Sequence, residues 1–199
     1  PQWLCGRLDV TARTRDVDGN GWGYLLAFAD PAGRPREWAM PARMLAGDGG
    51  EYRAALLGQG LAISTSAQAR NRLTEYLQTR YPEGMATCTE RIGWHATAEG
   101  AAYVLTHETI GAGTERIVYQ TDAPAERTFK VRGDLAAWQA RIGALCVGNS
   151  RLVFAVACAF AGPLMRPGGV DSGGFHLRGD SSSGKTTALR VAASVNGAP

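Results

Sequence analysis

Three features predict a two-part protein of mixed α/β and α+β class. Apolar and polar residues alternate over positions 4–40, short strand and helix signals are interleaved up to about position 131, and helical spacing takes over after Gly133 and leads into a glycine-rich loop. We expect a mixed α+β domain over residues 1–130 and the opening elements of an α/β domain over 131–199. The junction should fall near residues 123–133.

Leu4, Leu8 and Val10 alternate with Arg7, Asp9 and Thr11, which is the period of a strand with one buried face. Asp18-Gly19-Asn20-Gly21 supplies hairpin-turn chemistry, and Trp22 to Phe28 reads as the return strand. Asp30-Pro31-Ala32-Gly33 makes a second turn into a short strand at Glu37 to Met40. Glu51 to Leu57 reads as a helix stopped by Gly58 and Gly60, followed by a strand at Leu61-Ala62-Ile63. Thr65-Ser66-Ala67-Gln68 resembles a capping box, opening a helix that runs to about Arg80 with Leu73, Tyr76 and Leu77 on one face. Pro82 and Gly84 end it. Strands are then expected at Thr87 to Trp94, Ala102 to Leu105, Arg116 to Gln120 and Thr128 to Val131.

Leu135, Trp138, Ile142 and Leu145 recur at helical spacing and predict an amphipathic helix over Asp134 to Leu145. Gly148-Asn149-Ser150 breaks it, and Asn149 or Ser150 can cap a helix over Arg151 to Ala161. Gly162 to Gly174 reads as a loop. A strand at Gly174 to Arg178, a glycine-rich turn and a helix from Lys185 to about Val195 complete the pattern.

Composition narrows the function classes. With 45% apolar and 20% charged residues, the chain is globular and not disordered. A net charge of +3 is too weak to argue for nucleic acid by itself. Cys5, Cys88, Cys146 and Cys158 are scattered singly, which suits neither a zinc site nor a disulfide framework and fits reduced thiols in a cytoplasmic protein. The apolar stretch from Leu152 to Met165 is interrupted by Gly162-Pro163 and falls short of the about 20 residues a membrane span needs. It reads as a buried helix, so no membrane partner is expected. The opening Pro1 and the stop at Pro199, soon after Thr186, suggest a piece of a longer protein.

The chemistry concentrates in Gly179-Asp180-Ser181-Ser182-Ser183-Gly184-Lys185-Thr186: a glycine, four residues, then glycine-lysine-threonine. Glycines let the backbone curl so that successive N–H groups converge on an anion, and the following helix points its positive end at the same spot. This is the P-loop pattern. It predicts that the backbone of Gly179, Asp180, Ser181, Ser182, Ser183 and Gly184 cradles the phosphates of ATP. Lys185 would reach the β- and γ-phosphates as the catalytic cation, Thr186 would hold magnesium, and Thr187 would stand near the α-phosphate. The basic residues number 21, of which only Lys130 and Lys185 are lysines. A compact ammonium therefore stands where a planar guanidinium could not fit between phosphate oxygens. On this reading the second part is the truncated start of a P-loop NTPase domain.

Other candidates are ordinary. His95, His107 and His176 are isolated, and Asp180 reads as a loop-shaping carboxylate. Arg70, Arg72 and Arg80 read as a solvated helix face before a DNA-facing one, and Trp22, Trp38, Trp94 and Trp138 as core.

The run from Gly174 to Leu189 resembles the domain-of-unknown-function 927 family, as do Gly148-Asn149-Ser150-Arg151-Leu152 and Ala159-Phe160-Ala161-Gly162-Pro163-Leu164. Arg91-Ile92-Gly93-Trp94-His95, Trp38, Gly47-Asp48-Gly49 and Gly60-Leu61 fit it as well. Asn196 stands where similar sequences tend to carry tryptophan. Proteins of that family occur in phages, prophages and integrative elements and are described as replicative helicases or primase-helicases. The resemblance implies ATP and magnesium as cofactors, DNA as a partner of the full-length protein, and a hexamer-type homo-oligomer. A P-loop ATPase also needs a second acidic strand, a water-positioning group and, in oligomeric motors, an arginine finger. A non-catalytic nucleic-acid or partner-binding module with a structural nucleotide site is the competing expectation.

Overall fold

The computed structural model describes residues 2–106, 108–111, 113, 115–120 and 133–197. It divides into two compact units, Pro1–Asp122 and Ala123–Pro199. The strand expected at 128–131, and the expected junction apart from Gly133, lie outside the described residues.

In the first unit, β1 (Leu8–Arg15), β2 (Gly23–Ala29) and β3 (Pro35–Pro41) form the antiparallel meander that the alternation predicts. Helices α1 (Gly50–Gly58) and α2 (Ala67–Thr79) follow. Strand β4 (Met85–Thr89) then returns parallel to β1, and β8 (Arg116–Tyr119) lies parallel to β4. The sheet order is β3-β2-β1-β4-β8. Between β4 and β8 the chain makes a separate three-stranded sheet from β5 (Gly93–Thr97), β6 (Gly100–Val104) and β7 (Thr109–Gly111).

A bulge between Val10 and Ala12 lets β1 serve two cores. Without it, Ala12 would share a face with Leu8 and Val10; the extra residue flips that parity. On one face Leu8, Leu26, Phe28 and Met40 pack against Tyr52 and Leu56 of α1 and Leu73 and Leu77 of α2. On the other, Ala12, Leu25, Ala39 and Ala86 meet Cys88 and Val118, so each strand of the large sheet supplies a side chain to one small cluster. Alanines let the sheet curl tightly, and its edges are joined at a seam. The Gln120 amide donates to Ala39 C=O at 2.6 Å and accepts from Ala39 N–H at 2.7 Å, imitating a strand partner. Two residues back along β3, Glu37 is gripped by Arg116 with bonds of 2.7 and 2.6 Å.

Three expectations for this unit need correction. The strand expected over Thr87–Trp94 is two strands in different sheets, because residues 90–92 turn and Gly93 takes φ 105°. Leu61–Ile63 forms only an isolated bridge, Cys5 with Ile63. The capping box does not form: Ser66, not Thr65, is the N-cap of α2, and no side chain caps it.

The second unit begins with a continuous helical run: α3 (Leu135–Trp138), a π turn (Gln139–Gly143) and α4 (Ala144–Cys146). Asp134 caps it by accepting from Ala137 N–H at 2.8 Å. Helix α5 (Ser150–Leu164) is capped by Asn149, which accepts from Leu152 N–H at 3.2 Å. It continues past Ala161 through Pro163, which has no N–H to give the carbonyl four residues back. Helix α6 (Lys185–Ala193) closes the unit. The strand expected at Gly174–Arg178 is not formed. A strand exists only by pairing, and no other described segment of this unit is a strand. The fold is therefore mixed α/β with two sheets, and the glycine-rich loop is framed by an irregular segment before it and a helix after it. Among the described residues no helix is long and apolar enough to cross a membrane.

Candidate functional site

Residues 179–184 turn back on themselves and hand the chain to α6. Gly184 is the N-cap at φ 83°, a left-handed conformation that suits glycine. Ser182 takes the same region at φ 61°. At Gly179 a Cβ would lie 2.9 Å from Ser183 Oγ, so the turn closes tightly on the glycine backbone.

Lys185 reaches back across this turn. Its Nζ donates to Gly179 C=O at 2.7 Å, to Asp180 C=O at 2.6 Å and to Ser183 Oγ at 3.1 Å. An ammonium has three protons, and these three acceptors match them. The cation thus sits in the mouth of the loop, beside the start of α6.

That helix start has no side-chain cap: the N-cap is a glycine and the first turn holds no acid. The first intrahelical bond runs from Ala188 N–H to Gly184 C=O at 3.0 Å, so the amides before it have no carbonyl of their own helix to bond. They carry the positive end of the helix dipole. Thr186 and Thr187 are exposed on this first turn, and the Asp180 side chain is exposed as well. The start of α6 thus presents uncapped amides beside one ammonium and two exposed hydroxyls. The tight turn at Gly179 leaves the backbone, not side chains, to make the approach.

Gly179, Asp180, Ser183 and Lys185 are joined by hydrogen bonds, whereas Ser181, Ser182, Gly184, Thr186 and Thr187 belong to the same turn by position. The other candidates do not assemble. His95 Nε2 lies 2.8 Å from Arg91 C=O, His176 is exposed on the irregular segment, and His107 is outside the described residues. Arg70, Arg72 and Arg80 are spread around α2 and its end and form no single stripe; Arg80 stacks on Tyr76 with its guanidinium 5.3 Å from the ring centre. Trp38 packs on the first core as expected, but Trp22 is exposed and carries Arg13 at 5.7 Å.

Sequence reasoning missed a cleft of about 340 Å³ in the first unit, where Glu115 accepts from Arg15 and from Thr87, each at 2.7 Å. Residues 15, 87 and 115 lie far apart in sequence and meet only through strand pairing, so no local pattern announces them. It also missed that Trp138 Nε1–H bonds to Ser194 Oγ at 2.9 Å.

Against known families, residues 1–199 match the model described as a domain of unknown function, DUF927. The chain belongs to the DUF927 family. A solved structure described as "SCCmec type IV Cch - active helicase" is similar to this DUF927 chain with a TM-score of 0.70 at 18% identity, over 98% of this chain and 38% of that one. At that identity the likeness speaks for the fold alone, and the chain spans well under half of that neighbour. No curated protein matches the chain.

Proposed function

We propose that residues 179–187 bind the phosphates of ATP and that the chain is the ATP-binding part of a mobile-element replicative helicase or primase-helicase. The observation that carries this reading is the uncapped start of α6 behind a glycine turn, with Lys185 Nζ held in its mouth by 2.6–3.1 Å bonds. Lys185 would exchange the carbonyls of Gly179 and Asp180 for phosphate oxygens, and the loop amides would take the remaining charge. The Thr186 hydroxyl would hold magnesium, and Thr187, one residue further along the same turn, would stand near the α-phosphate. Bound magnesium would neutralise charge on the phosphoryl oxygens. We take residues 1–130 as the first domain and 131–199 as the start of the ATPase domain. A magnesium-holding carboxylate and a water-orienting group complete sites of this kind. The helicase neighbour's greater length leaves room for both in a longer protein, as it does for DNA contacts and hexamer-type assembly.

The test is ATP hydrolysis with and without single-stranded DNA by a protein that contains this chain. Wild type should turn over ATP faster with DNA, and Lys185→Ala should lose about 10²-fold. Equal hydrolysis by the two proteins would refute the motor and favour a binding module with a structural nucleotide.

A further inference from the structure

The loop occupies one end of α6, and the other end is held as well. Ser194 is the C-cap of α6, and its hydroxyl donates to Val191 C=O at 2.6 Å. A hydroxyl has one proton, so its lone pairs remain to accept the Trp138 Nε1–H at 2.9 Å. The indole is fixed on further sides. The π turn over Gln139–Gly143 stacks residue 143 against residue 138, and a Cβ at Gly143 would lie 3.3 Å from the ring. Phe160 of α5 meets the ring edge-on with centroids 6.4 Å apart. A phenylalanine would satisfy this packing; only the bond to Ser194 calls for an indole. At 1.5 Å per residue, α6 is a rod of about 14 Å, so fixing its last turn restricts the tilt of its first.

We infer that Trp138 is a positioning residue for the phosphate loop: through Ser194 it anchors α6 and sets where Lys185 and Thr186 stand. The functional half of this inference rests on the nucleotide reading above, and the mechanical half has its own readout. π turns inside helices recur at functional sites. Here the turn starts directly after Trp138, whose indole bonds to the end of α6.

The experiment compares the 199-residue chain with Trp138→Phe, Ser194→Ala, the double variant and Ser194→Thr. Amide exchange is followed from Ala188 to Val191, together with titration by magnesium-ATP. Trp138→Phe loses one neutral hydrogen bond and should speed α6 exchange about two- to tenfold; Ser194→Ala, which also loses the bond to Val191 C=O, should speed it at least as much. The double variant should do no more than the larger single, and Ser194→Thr, which keeps the hydroxyl, should stay near wild type. The dissociation constant should rise by a similar factor. Unchanged α6 exchange in Trp138→Phe would overturn the inference. Faster exchange with unchanged affinity would also overturn it, reducing the bond to a packing contact. Absence of binding by wild type would instead overturn the nucleotide reading, while faster exchange would still support the anchoring of α6.

Discussion

Ser182 holds φ 61°, a conformation that costs an L-residue about 1–2 kcal/mol. Glycine would remove that strain but gain about 0.5–1 kcal/mol of unfolded-state entropy, so Ser182→Gly should change stability by less than about 1 kcal/mol. Ser182→Val should destabilise by more than about 1 kcal/mol, because a β-branched side chain fits the left-handed region worst. Urea unfolding of the two variants checks the pair. Asp30 is the other residue that decides a turn. Its side chain is 4% exposed and accepts from Arg34 N–H at 3.0 Å, from the Arg36 guanidinium at 3.0 Å and from Ala32 N–H at 2.9 Å. The Arg34 backbone N–H, followed by the Arg36 guanidinium and Ala32 N–H, holds its carboxyl below the ordinary value, against burial, which pushes it up. A depressed folded pKa means stability that is present above about pH 4, the unfolded value, and lost as pH falls through the folded one. Melting temperature followed from pH 7 to 2 should therefore fall more steeply for wild type than for Asp30→Asn, which should start lower. Both sites were legible as turn and loop because their chemistry is local. The left-handed Ser182 was not, since the pattern at that position admits any residue.

At the scale of elements, the seam between β3 and β8 is the feature on which the curled sheet depends. The Arg116–Glu37 pair is 55% and 40% exposed, so it should contribute no more than about 1 kcal/mol. Gln120 satisfies two backbone groups of an edge strand that would otherwise have to find other partners. Gln120→Ala should cost about 1–3 kcal/mol and Glu37→Gln less than about 1 kcal/mol, measured by urea unfolding. The alternation over residues 4–40 revealed the meander because a period of two is a property of the strand itself. Everything that depends on a distant partner stayed hidden. The bulge at Val10/Ala12 changes which face Ala12 serves, residues 90–92 move the chain to a second sheet, and 174–178 has no described strand beside it. Helix caps fared unevenly. Asp134 and Asn149 sit at the starts of their helices, whereas the Thr65 box misses by one residue: Ser66 is the N-cap of α2, and its hydroxyl accepts from the Gln2 amide.

On the scale of the whole molecule, the two units bury very different cores. The first assembles Tyr52, Leu25, Leu26, Met40, Leu56, Leu73, Leu77 and Val104 with little or no exposure. Among the described residues, the second buries only Cys146, Ala155 and Ala188 of its apolar side chains, and leaves Phe154, Phe160, Leu164 and Leu189 exposed. Burial is the main favourable contribution to folding, so amide protection should be high across β1, β2 and α2 and much lower across α5 and α6. Hydrogen exchange of the intact chain checks this, and equal protection in both units would contradict it. The candidate site lies on the unit with the smaller buried core, and a ligand that binds only the folded state would stabilise it. Calorimetric titration of the 199-residue chain with magnesium-ATP, run on wild type and Lys185→Ala, tests the nucleotide reading most directly. Loss of a charge-assisted donor worth about 1.5–3 kcal/mol predicts saturable one-to-one binding by wild type and affinity about 10- to 100-fold weaker in the variant. No binding by wild type, or the same affinity in both, would contradict the account.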